Sequence, residues 1–106
     1  MPAGDFSTAS APVAVSVLYF AALRDLTGTS EERVSVAAPA PATGRDGAQV
    51  SEVDVSLLLA TLEDRHSSLR GRLQSVRVAV DEEFVELSTR LHGGEVVALI
   101  PPVSGG

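Results

Sequence analysis

Apolar and polar positions alternate with period two over residues 13–20. Val13, Val15, Val17 and Tyr19 fall on one face of an extended chain, and Ala14, Ser16, Leu18 and Phe20 on the other. This predicts a first strand with large apolar groups on both faces near its end, of which a covering helix can bury only one. Residues 21–26 predict a short helical turn, stopped by Thr27-Gly28-Thr29 with Gly28 as C-cap. A second strand over 31–38 carries Val34 and Val36 on one face and is the expected hairpin partner of the first. The period then changes. Val55, Leu58, Leu59 and Leu62 fall at i, i+3, i+4 and i+7, one apolar stripe of a main helix over 55–66. Asp54 is its N-cap, Glu63, Asp64 and Arg65 take the solvent side, and His66 reads as a surface or cap residue.

Residues 67–75 form a connector in which Leu69 and Leu73 are expected to tuck under the sheet. Alternation returns over 76–80, with Val76, Val78 and Val80 inward and Arg77 and Ala79 outward. Asp81-Glu82-Glu83 reads as a solvated hairpin tip, Phe84-Val85 as a short strand, 86–91 as irregular, and His92-Gly93-Gly94 as a turn into a last strand over 95–100. The order predicts an α+β domain over 13–106: a mixed sheet of four to five strands, the last one central, with one main helix across one face. Residues 1–12 read as a disordered leader and 39–51, rich in Pro, Gly and small residues, as a loop insertion; both are expected to be dispensable for function. The uncovered face of the sheet is expected to collect Phe20, Phe84 and Ile100, with Leu18 and Ala98, into an exposed apolar patch of the kind that marks a partner surface.

The last strand feeds Pro101-Pro102, which cannot donate to a ladder and hold the chain stiff and extended as it leaves the sheet. Beyond them come only Val103, Ser104, Gly105 and Gly106. Two residues without Cβ can thread a narrow channel, and the α-carboxylate after them is ionised at neutral pH. A rigid base, a slim flexible arm and a terminal carboxylate suit a group that enters another protein's active site.

Composition narrows the chemistry. With no cysteine the chain has no disulfide, thiolate nucleophile or cysteine-held metal, and two histidines make no convincing metal site. A net charge of −6 argues against nucleic acid and anionic membrane and for basic protein surfaces. All eight cationic side chains are arginine, which reads as codon bias. No run has the length of a membrane span, so a soluble, cytoplasmic protein is expected.

Several stretches resemble one known family. They are residues 17–21, Leu23-Arg24, Thr27-Gly28, Arg65-His66, Val80 through Leu87, and the ending from Glu95 to Gly106. Together they are similar to the small, sulfur-carrying subunit of molybdopterin synthase, the MoaD type. The resemblance covers roughly 13–38 and 54–106 and implies the ubiquitin-like β-grasp fold. It implies that an ATP-dependent activating enzyme, related to those of ubiquitin, adenylates the Gly106 carboxylate, with Gly105 beside it. A persulfide sulfur then displaces AMP to leave a thiocarboxylate. The tail enters the large catalytic subunit, in a heterotetramer of two small and two large subunits, and gives its sulfur to cyclic pyranopterin monophosphate. The carrier binds no cofactor directly and is not catalytic alone. The implied contacts with the large subunit are Phe20, Phe84, Ile100, Pro101, Pro102, Val103 and Ser104. His92 and Gly93 stand where an acidic turn residue is common, a departure expected to touch turn stability and not chemistry. The alternatives are a carrier of the same fold for thiamine, cysteine or tRNA thiolation, a protein modifier conjugated through Gly106, and a plain binding module.

Overall fold

A computed structural model describes residues 12–38, 42–43, 49–50 and 52–102. The expected leader, most of the 39–51 loop, and Val103, Ser104, Gly105 and Gly106 lie outside the described residues. The elements run β1 (Val13–Tyr19), α1 (Ala22–Thr27), β2 (Glu31–Val36), β3 (Ala42–Thr43), β4 (Gln49–Val50), β5 (Val53–Asp54), α2 (Val55–Arg65), β6 (Arg77–Val80), β7 (Glu83–Val85), β8 (Arg90–Leu91) and β9 (Val96–Ile100). Five of the strands make one mixed sheet in the order β2-β1-β9-β6-β7. β1 and β9 are parallel at its centre, with Tyr19 opposite Leu99, and the other pairs are antiparallel. With α2 crossing one face, this is the α+β arrangement that the element order predicts and the β-grasp fold that the resemblance implies.

The two faces separate as the alternation requires. Val13, Val15, Val17, Tyr19, Val34, Val36, Val78, Val97 and Leu99 are buried on the helix side. They meet the α2 stripe Val55, Leu58, Leu59 and Leu62, with Leu69 and Leu73 closing the core beneath. Asp54 caps α2 by accepting a hydrogen bond from the Leu57 N–H at 2.9 Å, and Ser56 Oγ donates to the same oxygen. Gly28 ends α1 in the left-handed region at φ 80°.

Four details differ from the expectation. The main helix ends at Arg65, one residue short of the expected span, with His66 as its C-cap in keeping with the sequence reading. The 39–51 segment contains the antiparallel pair of β3 with β4. Residues 86–91 are not wholly irregular, because Arg90–Leu91 pairs with Val53–Asp54 and Leu91 is fully buried. Ala79 points to the outer face as predicted but is buried, a small side chain between Phe84 on β7 and Ala98 on β9.

The missing acid at the β8–β9 turn is supplied from further on. Glu95 accepts hydrogen bonds from the backbone N–H groups of His92 at 2.8 Å and Gly93 at 2.7 Å, while Gly93 and Gly94 take positive φ. Burial pushes the Glu95 carboxyl up, but these amide bonds outweigh it and hold it below the ordinary glutamate range.

At the end of the hairpin, Glu32 Oε2 accepts from the Tyr19 hydroxyl at 2.6 Å and lies 2.7 Å from His66 Nε2, while Arg65 Nε is 3.5 Å from the other oxygen. The Tyr19 and His66 rings meet edge to face at 6.0 Å. Burial, then donation to Glu32 and its negative charge, push the Tyr19 phenol well above its ordinary value. Burial also pushes Glu32 up, but the bonds from Tyr19 and His66 and the nearby His66 and Arg65 charges leave it below its ordinary value. A raised phenol contributes stability that is whole below the unfolded value of about 10 and is lost as pH climbs past it. Tyr19 is the single tyrosine and there is no tryptophan, so its phenolate absorbance can be followed without interference. That absorbance is expected to stay flat above pH of about 10 until the circular dichroism signal collapses, and then to rise with the collapse. A smooth titration centred near 10 in a chain that stays folded would contradict the cluster.

Candidate functional site

The outer face of the sheet is where the predicted site residues meet. On β1, Leu18 lies beside Ala98 of β9, and Ala98 lies beside Ala79 of β6, which faces Phe84 of β7. One step towards the end of the sheet, Ile100 pairs with Arg77, and Phe20 comes beside Ile100 because Tyr19 is opposite Leu99. Phe20, Phe84 and Ile100 therefore share one face. Leu18, Phe20, Ala79, Phe84, Ala98 and Ile100 line a cleft of about 580 Å³ there. Phe20 is 44% exposed and Phe84 59%, so both large apolar side chains keep much of their surface in water.

Local backbone geometry holds these side chains. After β1 the chain turns at Ala21, with φ 52° and ψ −127°, and the Leu23 N–H donates to the Phe20 carbonyl at 3.0 Å. This is the first central position of a type II′ turn, which favours glycine; an alanine there carries strain of about 1–3 kcal/mol. It ends β1 abruptly and leaves Phe20 at the rim. The hairpin tip does the same for Phe84. Asp81 and Glu82 both have positive φ, 50° and 75°, as the right-handed strand twist demands of a two-residue connection. Asp81 offsets the strain: its N–H donates to the Val96 carbonyl and its Oδ1 accepts from the Val96 N–H, each at 2.9 Å. The acidic trio expected as a solvated turn thus contains one residue that hooks the hairpin to β9.

Val96 is 40% exposed on the same face and is missing from the expected patch, although alternation with Ala98 and Ile100 would have placed it there. Leu87, 50% exposed, lies past the β7 edge and had no periodic signal. The chain leaves the sheet at Ile100, so Pro101, half-buried, and Pro102, exposed, start from the end of the patch that carries Phe20 and Ile100. Among the described residues no group of His, Asp and Glu is arranged to hold a metal, and no helix is long and apolar enough to cross a membrane.

A family model described as the ThiS family matches residues 45–106. The chain belongs to the ThiS family. It is 34% identical over 95 residues to the molybdopterin synthase sulfur carrier subunit of Homo sapiens, covering 87% of this chain and 93% of that one. It is 36% identical to the subunit of the same name from Mycobacterium tuberculosis, over 89% of this chain and 99% of the relative. These relatives bear out the resemblance to the MoaD type. Among solved structures, the crystal structure of small archaeal modifier protein 1 from Haloferax volcanii superposes with a TM-score of 0.69 at 25% identity, over 88% of this chain and 99% of that one. Subunit 1 or 2 in the complex of molybdopterin-converting factor from Helicobacter pylori matches with a TM-score of 0.55 at 21% identity, over 89% of this chain and 100% of that one, and shares the fold.

Proposed function

We propose that this member of the ThiS family is the sulfur carrier of molybdopterin synthase in molybdenum cofactor biosynthesis, working in the cytoplasm through its Gly106 carboxylate. An ionised carboxylate is a poor electrophile, so it must first be activated. Attack of the carboxylate on ATP releases pyrophosphate and makes a mixed anhydride with AMP, carried out by a ubiquitin-activating-like enzyme. The terminal sulfur of a persulfide donor attacks the carbonyl carbon and expels AMP. Cleavage of the new S–S bond by a thiol leaves the thiocarboxylate, which delivers sulfur to cyclic pyranopterin monophosphate inside the large catalytic subunit. Two small and two large subunits make the working complex. The chain's own share is to dock and to extend the tail.

One observation carries the reading: an apolar sheet face with Phe20, Phe84 and Ile100 ends where Ile100 hands the chain to Pro101-Pro102 and the Val103-Ser104-Gly105-Gly106 tail. Docking by that face and threading of that tail are then one event. The names of the curated relatives support the same pathway. The likeness to an archaeal modifier protein favours a second reading, conjugation of Gly106 to a lysine of a target. With no lysine of its own, the chain cannot build lysine-linked chains of itself. Incubation with activating enzyme, ATP and a persulfide donor, followed by mass spectrometry, separates the two. Exchange of one oxygen for sulfur at Gly106 supports the carrier, an isopeptide adduct supports the modifier, and an unchanged mass removes both.

A further inference from the structure

The outer face holds charged groups that the docking reading leaves unused, and one of them, Arg77, packs on the apolar patch. The Arg77 guanidinium carbon sits 4.4 Å from the centroid of the Phe84 ring. Ion pairs among the described residues involve Arg65, His66, Arg70, Arg90 and His92, and none involves Arg77. Glu86, which lines a neighbouring groove together with Arg77, is not within ion-pair distance of it. Arg77 is in register with Ile100, one residue before Pro101, so this cation stands where the tail leaves the sheet. The opposite end of the cleft is acidic, rimmed by Asp81 and Glu82. Four positions along a strand separate Arg77 from Asp81, about 13 Å at about 3.3 Å per residue. On the β6–β7 side the face therefore carries a cation at the tail exit and two acids at the hairpin tip, with apolar residues between, while on the β2 edge Glu31, beside Leu18, stands towards the tail exit and Arg33, beside Ser16, towards the other end.

We propose that Arg77 is a specificity residue of this face, receiving a carboxylate of the large catalytic subunit beside the tail exit. The proposal rests on the docking reading above. A guanidinium resting over a ring spends its π face there and keeps its N–H edge, which lies in the guanidinium plane and fits a carboxylate through two parallel hydrogen bonds. Contact with Phe84 also limits the rotamers of a long side chain before binding, so less order is lost on docking. Glu31, beside Leu18, and Glu86, in the neighbouring groove, stand towards the same end and repel a carboxylate, so of these groups Arg77 is the one that offers it a partner and fixes where it lands.

The test is a titration of the full chain against the large molybdopterin synthase subunit at low and high salt, with Arg77→Gln, Arg77→Lys and Arg77→Glu. At low salt Arg77→Glu is expected to weaken binding by about tenfold or more and Arg77→Gln by less. Arg77→Lys, which keeps the charge and loses the fork, should fall between Arg77→Gln and the wild type. The gap between Arg77→Glu and Arg77→Gln should shrink at high salt, and melting temperatures should stay near that of the wild type. Binding of Arg77→Glu within about twofold of wild type overturns the proposal, as does an equal loss in Arg77→Gln and Arg77→Glu that salt does not change, which would mark Arg77 as packing for Phe84 alone. A wild-type chain that does not bind the subunit removes the docking reading itself and this proposal with it; a wild type that binds while Arg77→Glu binds equally well removes only the proposal.

Discussion

Deletion of Gly106, or addition of one residue after it, is expected to abolish thiocarboxylate formation while leaving the circular dichroism spectrum unchanged. In the proposed function the reacting atom is the terminal carboxyl carbon, and its position is set by counting residues out from the sheet. The last sheet residue is Ile100 and the two prolines that follow it are stiff. One residue more or less displaces the carboxyl by about 3.3–3.6 Å along an extended chain. A misplacement of about 1 Å already costs on the order of a hundredfold in a positioned reaction. Deletion leaves Gly105 as the terminal residue, still slim but too short to reach. Addition of an alanine carries the carboxyl too far and, in the proposed function, brings a Cβ where two glycines thread the partner. The fold is untouched, since neither change alters a residue of the sheet or the core. Normal sulfur loading of an extended and unprocessed tail would remove Gly106 from its assigned role.

Leu99→Arg and Phe20→Arg are expected to have opposite effects, although both residues stand near the end of adjacent central strands. Leu99 is fully buried between Tyr19 on β1 and Val78 on β6. Truncating such a leucine to alanine alone costs about 2–5 kcal/mol. Placing an unpaired guanidinium there adds the penalty of burying a charge. Total stability for a domain of this size is only about 5–15 kcal/mol, so Leu99→Arg should unfold the chain. Phe20 is 44% exposed at the rim, where an arginine can keep its charge in water. Phe20→Arg should melt close to the wild type but bind the large subunit about tenfold or more weakly, about 1.4 kcal/mol per decade. Melting curves and a binding titration on the two variants decide the matter. A folded Leu99→Arg chain beside an unfolded Phe20→Arg chain would reverse the two faces.

Local pattern carried much of this fold. Strict alternation in β1 assigned Val13, Val15, Val17 and Tyr19 to the core, because a strand has a period of two and a one-sided helix cover makes that period visible in side-chain type. The α2 stripe and its Asp54 cap were equally legible, since helix period and capping chemistry act within four residues. The end of the last strand was legible for a similar reason: Pro101-Pro102 stop a ladder through their own backbone chemistry and need no neighbours, and β9 ends at Ile100.

What the tertiary structure alone decided involves residues distant in sequence or elements too short to show a period. The Val53–Asp54 and Arg90–Leu91 pair has two residues in each strand, fewer than alternation needs to register. Glu32 gathers Tyr19 from 13 positions away and His66 from 34, and nothing in any one segment marks the three as partners. Ala79 is buried on an exposed face because its cross-strand neighbours are Phe84 and Ala98, which depends on sheet order and not on its own type. The placement of Arg77 at the tail exit arises in the same way. Arg77 and Asp81 sit four residues apart on a hairpin, but they become opposite ends of one surface only when β6 pairs with β9, which aligns Arg77 with the tail exit and hooks Asp81 to Val96. Period and capping are local physics and can be read in order along the chain, whereas the neighbours of a side chain across a sheet are set by pairings whose register the whole core selects.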